Sequence, residues 1–363
     1  MRLLALLLIA FSLTAEEAEV ATARLKAKSV KEGQFVLGRH VTGAIPTECL
    51  TLRSKLPVCF FDLNGDGAIT TDGQDGIGLA DERLISPLSN PILLPEGQFT
   101  CVFSDELVEM VPMDTTLDAQ RVAECSILTR LRIRAGLPLV SIDAEATEHC
   151  RQHLSYLKQN PEQAGMDLHN QYPGRPGYTV EGAAAGRGSC LYPGVQSLEA
   201  ALLGWYVTAW HGYPLVDPSI TRCGAACDGS AAIFYPQGRV PTQVPMVHPA
   251  DGSSNIPIAF GIEIPNPVAG SNNGAGCGFP IYRGDMATGA TVIVERSRNK
   301  RMNGQKISGH WSTPTNPANP GEWPTNSGLS LFIPESPLPP KSRILVTWTL
   351  ADGSTEDIRF ATE

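Results

Sequence analysis

Residues 62–70, Asp-Leu-Asn-Gly-Asp-Gly-Ala-Ile-Thr, place oxygen-bearing side chains at alternate positions around two glycines. A calcium loop needs oxygen ligands at positions 1, 3 and 5, a glycine at 6 for the sharp turn, and a backbone carbonyl at 7. Asp62, Asn64, Asp66 and the Ala68 carbonyl fill those places. Position 12, where a bidentate carboxylate belongs, is Gly73, with Asp72 and Asp75 close by. The expected set is therefore Asp62, Asn64, Asp66, Ala68 and Asp72, holding Ca2+ in a structural role. The alternative is an Asp/Asn/Gly turn that satisfies its own backbone. His149 and His153 lie four apart on an expected helix, a spacing that puts two ligands on one face. No Glu follows His149, so this is not the His-Glu-x-x-His zinc pattern. That pair reads as a partly exposed helix face. There is no Gly-x-Ser-x-Gly elbow for a serine hydrolase. Gly186-Arg187-Gly188-Ser189 lacks the Lys-Ser/Thr of a phosphate loop.

The elements that must position such residues fall into blocks. The chain has 363 residues, 42% hydrophobic and 18% charged, enough apolar material for a core and too long for one ordinary domain. Met1-Arg2 followed by the apolar run Leu3 to Leu13 reads as a secretory signal, cleaved either after Ala15 or at the cleaner small-x-small site Ala21-Thr22-Ala23, which lies farther from the apolar run; 1–23 is assigned as signal peptide. Eleven apolar residues are too few to span a bilayer, and no other run is long enough. The nine cysteines of an exported chain are then expected mostly in disulfides, with Cys223 and Cys227 able to pair across a turn.

Residues 24–114 show little periodicity and read as an irregular N-terminal region. Residues 115–242 begin helical over Val122 to Arg134, which stops at Gly136. Asp143 caps a second helix to Gln159, and Ser197 opens a third. A Gly/Pro-rich loop is expected from His169 to Gly194, and a strand over Ala231 to Tyr235. Residues 243–363 read as strands. Ile344, Val346, Trp348 and Leu350 alternate ahead of a turn at Ala351-Asp352-Gly353-Ser354, and Thr355 to Phe360 returns. Further strands are expected at Ile258 to Ile264, Ala290 to Glu295 and Leu329 to Ile333. The fold class is α+β.

Four pieces of the middle block stand in a distinctive order: Leu128-Thr129-Arg130-Leu131-Arg132 into Ala135-Gly136-Leu137-Pro138; His169 with Gly177-Tyr178-Thr179-Val180-Glu181-Gly182; Trp205 to His211; and Pro214-Leu215-Val216-Asp217-Pro218. This order resembles the bacterial secreted branch of the CAP superfamily, the cysteine-rich secretory, antigen 5 and pathogenesis-related proteins, over about a third of the chain. The tail resembles the bacterial immunoglobulin-like domain found after such modules, and the Asp62 loop resembles those of EF-hand and dockerin modules. The resemblance implies a CAP-like α-β-α sandwich with an open cleft, followed by an all-β immunoglobulin-like sandwich. It implies two His and two acids in the cleft, able to hold Zn2+ or another divalent metal. His169, Glu181 and His211 match three of the four. The second acid has no match near Trp205 to His211, Thr129 stands where the family usually has Asn, and Gly212 where bacterial relatives often have Arg.

Three function classes follow, one of them structural adhesion, with contacts carried by the N-terminal region and the immunoglobulin-like tail; the other two use the cleft. One is a secreted, non-enzymatic binding module, extracellular or periplasmic, whose cleft takes a lipid, peptide or envelope ligand such as a glycan. The other is a divalent-metal-dependent hydrolase acting on peptides or envelope polymers. Three ligands on zinc leave a position open for an acidified water, but no residue announces itself as a proton-transfer group. A net charge of −9 without a Lys/Arg run argues against nucleic-acid binding.

Overall fold

The computed structural model describes residues 57–363 apart from 80–81, 83, 105–106, 237–245, 285–286 and 321–328, together with the backbone of short strands between 21 and 51. The apolar run of the expected signal lies outside the described residues.

The region expected to be irregular is built of strands. Ala21–Arg24, Leu107–Met113, Gly97–Ser104 and Ile92–Leu94 form one antiparallel sheet in that order. A seven-stranded sheet runs Lys26–Ser29, Pro46–Thr51, Pro57–Phe61, Asp72–Leu79, Leu84–Ser89, Phe35–Val36, Arg39–His40. Val58, Phe60, Ile77 and Leu79 of the larger sheet pack with Ile92, Leu94, Phe99 and Val108 of the smaller. Periodicity is weak here because strands such as Asp72–Leu79 carry three glycines, and Gly76 and Gly78 lie against neighbouring side chains where a Cβ would collide.

The middle region is a three-layer sandwich. Its helices are α1 (Ala119–Cys125), α2 (Ile127–Arg134), α3 (Ala144–Gln159), α4 (Val180–Gly188), α5 (Leu198–Tyr206) and α6 (Gly212–Leu215). The single helix expected over Val122 to Arg134 is divided at Ser126, which caps the end of α1 and the start of α2. Asp143 and Ser197 cap α3 and α5 as expected, each accepting from a backbone N–H three residues on. Helix α4 and the strand Ser189–Pro193 occupy what read as a loop. Thr179 caps α4 by accepting from Gly182 N at 2.9 Å, and its small Gly/Ala body lets the helix lie close to α3.

The central sheet runs Ser141–Ile142, Arg222–Cys227, Ser230–Phe234, Ser189–Pro193. Its period-2 alternation separates the layers. Cys223, Ala225, Ala231 and Ile233 face a core with α1, α2 and α5, while Ala226 and Ala232 face α3. At Gly224 a Cβ would lie 2.1 Å from the Ala146 carbonyl carbon, so α3 rests directly on the strand.

The C-terminal region is strand-rich: Val247–His248, Ile281–Arg283, Ser330–Pro334 and Gly309–Ser312 in one sheet, Ala287–Ser297, Ser342–Leu350 and Thr355–Ala361 in another, all antiparallel. This is consistent with the immunoglobulin-like expectation. Ile344, Val346 and Trp348 are buried, and their core is continuous with that around Trp205 and Tyr206. The stretch Ile258 to Ile264 is not a strand. It is irregular apart from a bridge between Ala259 and Gly278.

Most of the expected disulfide framework is not formed among the described residues. Cys101, Cys125, Cys150, Cys190, Cys223, Cys227 and Cys277 are free, and Cys59 is disulfide-bonded. Cys223 and Cys227 cannot pair because they share one strand, about 13 Å apart at ~3.3 Å per residue.

Candidate functional site

Arg132 ties the first and last of the four sequence pieces together. Its fully buried guanidinium donates to the carbonyls of Pro138 (2.7 Å), Leu215 (3.2 Å), Asp217 (2.7 Å) and Ile220 (2.9 Å). Helix α2 is thereby fixed to the chain just after α6. Burial pulls the guanidinium down to about 10, still charged at neutral pH. Thr129, in place of the usual Asn, donates to Leu93 O at 2.6 Å and so binds α2 to the N-terminal strands.

His169 ends the 3-10 turn Gly165–His169. Its Nδ1 is 2.9 Å from Gly186 O in α4. A carbonyl only accepts, so Nδ1 carries the proton and Nε2 keeps its lone pair. Burial holds this imidazole below its ordinary pKa, opposed by the Gly186 bond and reinforced by the nearby His211.

A relay beneath the turn fixes it. Gln171 accepts from Thr179 N at 3.0 Å and donates to His153 Nδ1 at 3.1 Å. His153 Nε2 donates to Leu168 O at 2.9 Å. His153 is therefore a buried structural histidine, not part of an exposed face as its spacing with His149 suggested. Only His149 lies toward the surface, with Glu145 4.0 Å away. Burial pushes His153 down to about 4, so it stays neutral.

His211 stands just before α6. Its Nδ1 is 2.8 Å from Glu263 Oε1, and the same carboxylate accepts from Ala209 N (2.9 Å), Trp210 N (2.7 Å) and His211 N (2.8 Å). The Glu263 side chain is 0% exposed. Here is an acid that the middle block lacks, delivered 52 residues downstream from an irregular segment of the C-terminal region. Spacing within residues 115–242 does not point to it, because it lies 52 residues beyond His211 in the next region. The only signal was a single Glu between Ile262 and Ile264 in an otherwise apolar stretch.

The docking of that region also accounts for Gly212. A Cβ there would fall 2.8 Å from Tyr282 Oη and 2.9 Å from Trp205 O, leaving no room for an arginine. Tyr282 donates to Thr208 O, and Gly261 N donates to Val207 O at 2.9 Å.

The structure thus brings His169 and His211 into one electrostatic environment. It leaves Glu181 exposed on the first turn of α4. Among the described residues, no group of three or more His, Cys, Asp or Glu is gathered to hold a metal ion. Glu263, the acid at His211, is committed to four hydrogen bonds, so the donor set does not fit a resident zinc.

The Asp62 loop is closed by its own backbone. Asp62 accepts from Gly65 N and Gly67 N, Asn64 from Asp66 N, Asp66 from Ala68 N, and Asp72 from Gln74 N. Asp75 closes the base by accepting from Leu63 N and Thr70 N. These bonds are those of the Asx turns weighed as the alternative to a calcium loop.

The model of the cysteine-rich secretory protein family, CAP, matches residues 126–238. No curated protein matches the chain. Among solved structures, an extracellular protein containing an SCP domain from Bacillus anthracis str. Ames aligns over 59% of this chain and 86% of its own, at 12% identity and a TM-score of 0.26. No helix of the described residues is long and apolar enough to cross a membrane. The family match falls on the helices and sheet that position His169 and His211, so residues 126–238 are the part of this chain that is similar to the CAP family.

Proposed function

We propose that this is a secreted CAP-domain protein that acts as a non-enzymatic binding module, with the His169/His211 cleft receiving a lipid, peptide or other envelope ligand. The observation that carries the reading is the fate of the two Nδ1 atoms. Each is tied to an internal acceptor, Gly186 O or Glu263 Oε1, which leaves each Nε2 as the imidazole atom available to a ligand. Exposed apolar side chains adjoin these groups in sequence. Ile262 is 70% exposed and Ile264 51% exposed on either side of Glu263, and Val180 is 66% exposed beside Glu181. Polar acceptors with apolar neighbours suit an amphiphilic ligand. The signal-like N-terminus supports export.

The test is co-sedimentation of purified protein with phosphatidylglycerol vesicles and, separately, with purified peptidoglycan. Wild type is compared with the His169→Ala/His211→Ala double variant. Binding to one of these that is lost in the variant supports the cleft. Equal binding by both proteins places the contact elsewhere and sinks this reading.

A further inference from the structure

We infer that Glu263 is a positioning residue for His211, so that the CAP cleft of this chain is completed by the region that follows the CAP domain. The inference deepens the binding-cleft reading and rests on it only for the cleft's purpose. The geometry stands by itself. Glu263 lies outside the 126–238 match. Its carboxylate is wholly buried, and its four hydrogen bonds are directed at one short segment: the successive N–H groups of Ala209, Trp210 and His211, and the His211 ring.

Two consequences follow from those four bonds. The three backbone N–H groups share one acceptor, which shapes the turn leading into α6 and sets where His211 starts. The bond at Nδ1 then sets the ring. With the carboxylate accepting there, Nδ1 carries the proton and Nε2 is unprotonated in the neutral imidazole. In water a free imidazole has no such constraint. A buried carboxylate is costly to desolvate unless fully hydrogen-bonded, and this one is paired on both oxygens, with Oε2 accepting from Ala209 and Oε1 from the other three. The segment that carries it is fixed to the CAP domain on its own account. Gly261 N bonds Val207 O, and a Cβ on Gly261 would sit 3.0 Å from Thr208 Cγ2.

The experiment is ¹⁵N NMR of the histidine rings in the full-length secreted chain at pH 8, where imidazoles are ordinarily neutral. Wild type is compared with Glu263→Gln and Glu263→Leu. Wild-type His211 is expected with a pyrrole-type Nδ1 and a pyridine-type Nε2. Glu263→Gln keeps an acceptor oxygen and retains that tautomer. Glu263→Leu removes it, and the Nδ1–H to Nε2–H ratio falls by about tenfold or more, the scale of one charge-assisted bond. The His169 tautomer, held by Gly186, stays unchanged and reports that the domain is still folded. A wild-type His211 protonated at Nε2, or a Leu variant whose tautomer ratio matches wild type while His169 is native, overturns the inference. Neither readout involves a ligand, so a failure here is distinct from a failure of vesicle or peptidoglycan binding.

Discussion

Gly186 and His153 touch so closely that no other residue fits at 186. A Cβ on Gly186 would lie 2.3 Å from His153 Cε1, 2.6 Å from its Nδ1 and 2.8 Å from His169 O. The glycine of α4 therefore lets the helix pass over a buried ring from α3 and reach His169 with its own carbonyl. Ring and backbone on both sides leave nothing flexible to give way. Gly186→Ala should destabilise the protein by about 2–3 kcal/mol, the scale of an overpacked core, and should move the His169 ring resonances. Gly229 has a φ of +74° but open space around it, so Gly229→Ala should cost only about 1 kcal/mol, the left-handed penalty alone. Urea denaturation of the two variants checks this. Equal midpoints would mean that the α3–α4 approach is looser than described.

Arg132 provides a second test, of the coupling between the sequence pieces. Its guanidinium donates to four carbonyls, from Pro138 and from the chain between 215 and 220. Arg132→Met fills similar volume but takes away their side-chain donor, leaving only Asp217 O with the Ile220 N–H, and should cost about 3–5 kcal/mol. Arg132→Lys should recover little of it, because an ammonium cannot reproduce the planar fork. Denaturant titration reads both. A Met variant within about 1 kcal/mol of wild type would show that the carbonyls find other partners.

These two residues also mark what could be read from sequence. Arg132 and the Pro214–Pro218 piece were visible as a pattern, and the caps Asp143 and Ser197 were legible because a short polar side chain before an apolar stripe has one physical meaning. Helix α4 was hidden by its Gly/Ala composition, which reads as loop unless one knows that α3 lies against it. The run Ile258 to Ile264 has the apolar content of a strand, but Glu263 turns inward to satisfy the N–H groups of 209–211, and that tertiary demand overrides a ladder. Glu263 itself could not be found by spacing. Nothing local relates it to His211, and only the packing of the C-terminal sheets against α5 and α6 brings them together. The cysteines misled for a related reason. A continuous core from α1 to Trp348 removes the need for cross-links that small exported domains depend on.

Acid should weaken the fold through two buried imidazoles. Burial pushes His153 down to about 4 and His248 to about 3, against an ordinary value near 6.5. His248 is enclosed by the rings of Tyr206, Phe279 and Tyr282. Both folded values lie below the unfolded one, so the unfolded chain takes up protons first as pH falls. The native state is then penalised progressively below about pH 6.5, until each folded group titrates in turn at about 4 and about 3. The loss across the window is on the order of 3 kcal/mol for His153 and on the order of 5 kcal/mol for His248. Stability measured in urea between pH 7.5 and 4 should therefore fall with pH, and His153→Gln should flatten the slope by about one proton's worth. An unchanged slope in that variant would remove His153 as a cause.

The last prediction concerns the thiols. Burial raises Cys101 and Cys223 to about 12 and pushes Cys125, Cys150 and Cys190 higher still. A thiol that does not ionise at neutral pH is a poor nucleophile and behaves as a small apolar side chain. Only Cys227 is half-exposed among the seven free cysteines. Ellman's reagent at pH 8 should therefore label native protein slowly, with Cys227 first. In denaturant without reductant it should label seven thiols per chain, and added reductant should raise the number. Fewer than seven would mean that buried cysteines have paired, which requires movement of the sheet and helices that now separate them. Mass mapping of the labelled peptides identifies which ones. A fast native reaction at Cys150 would contradict the seating of α3 against the central sheet, because its side chain is wholly buried there.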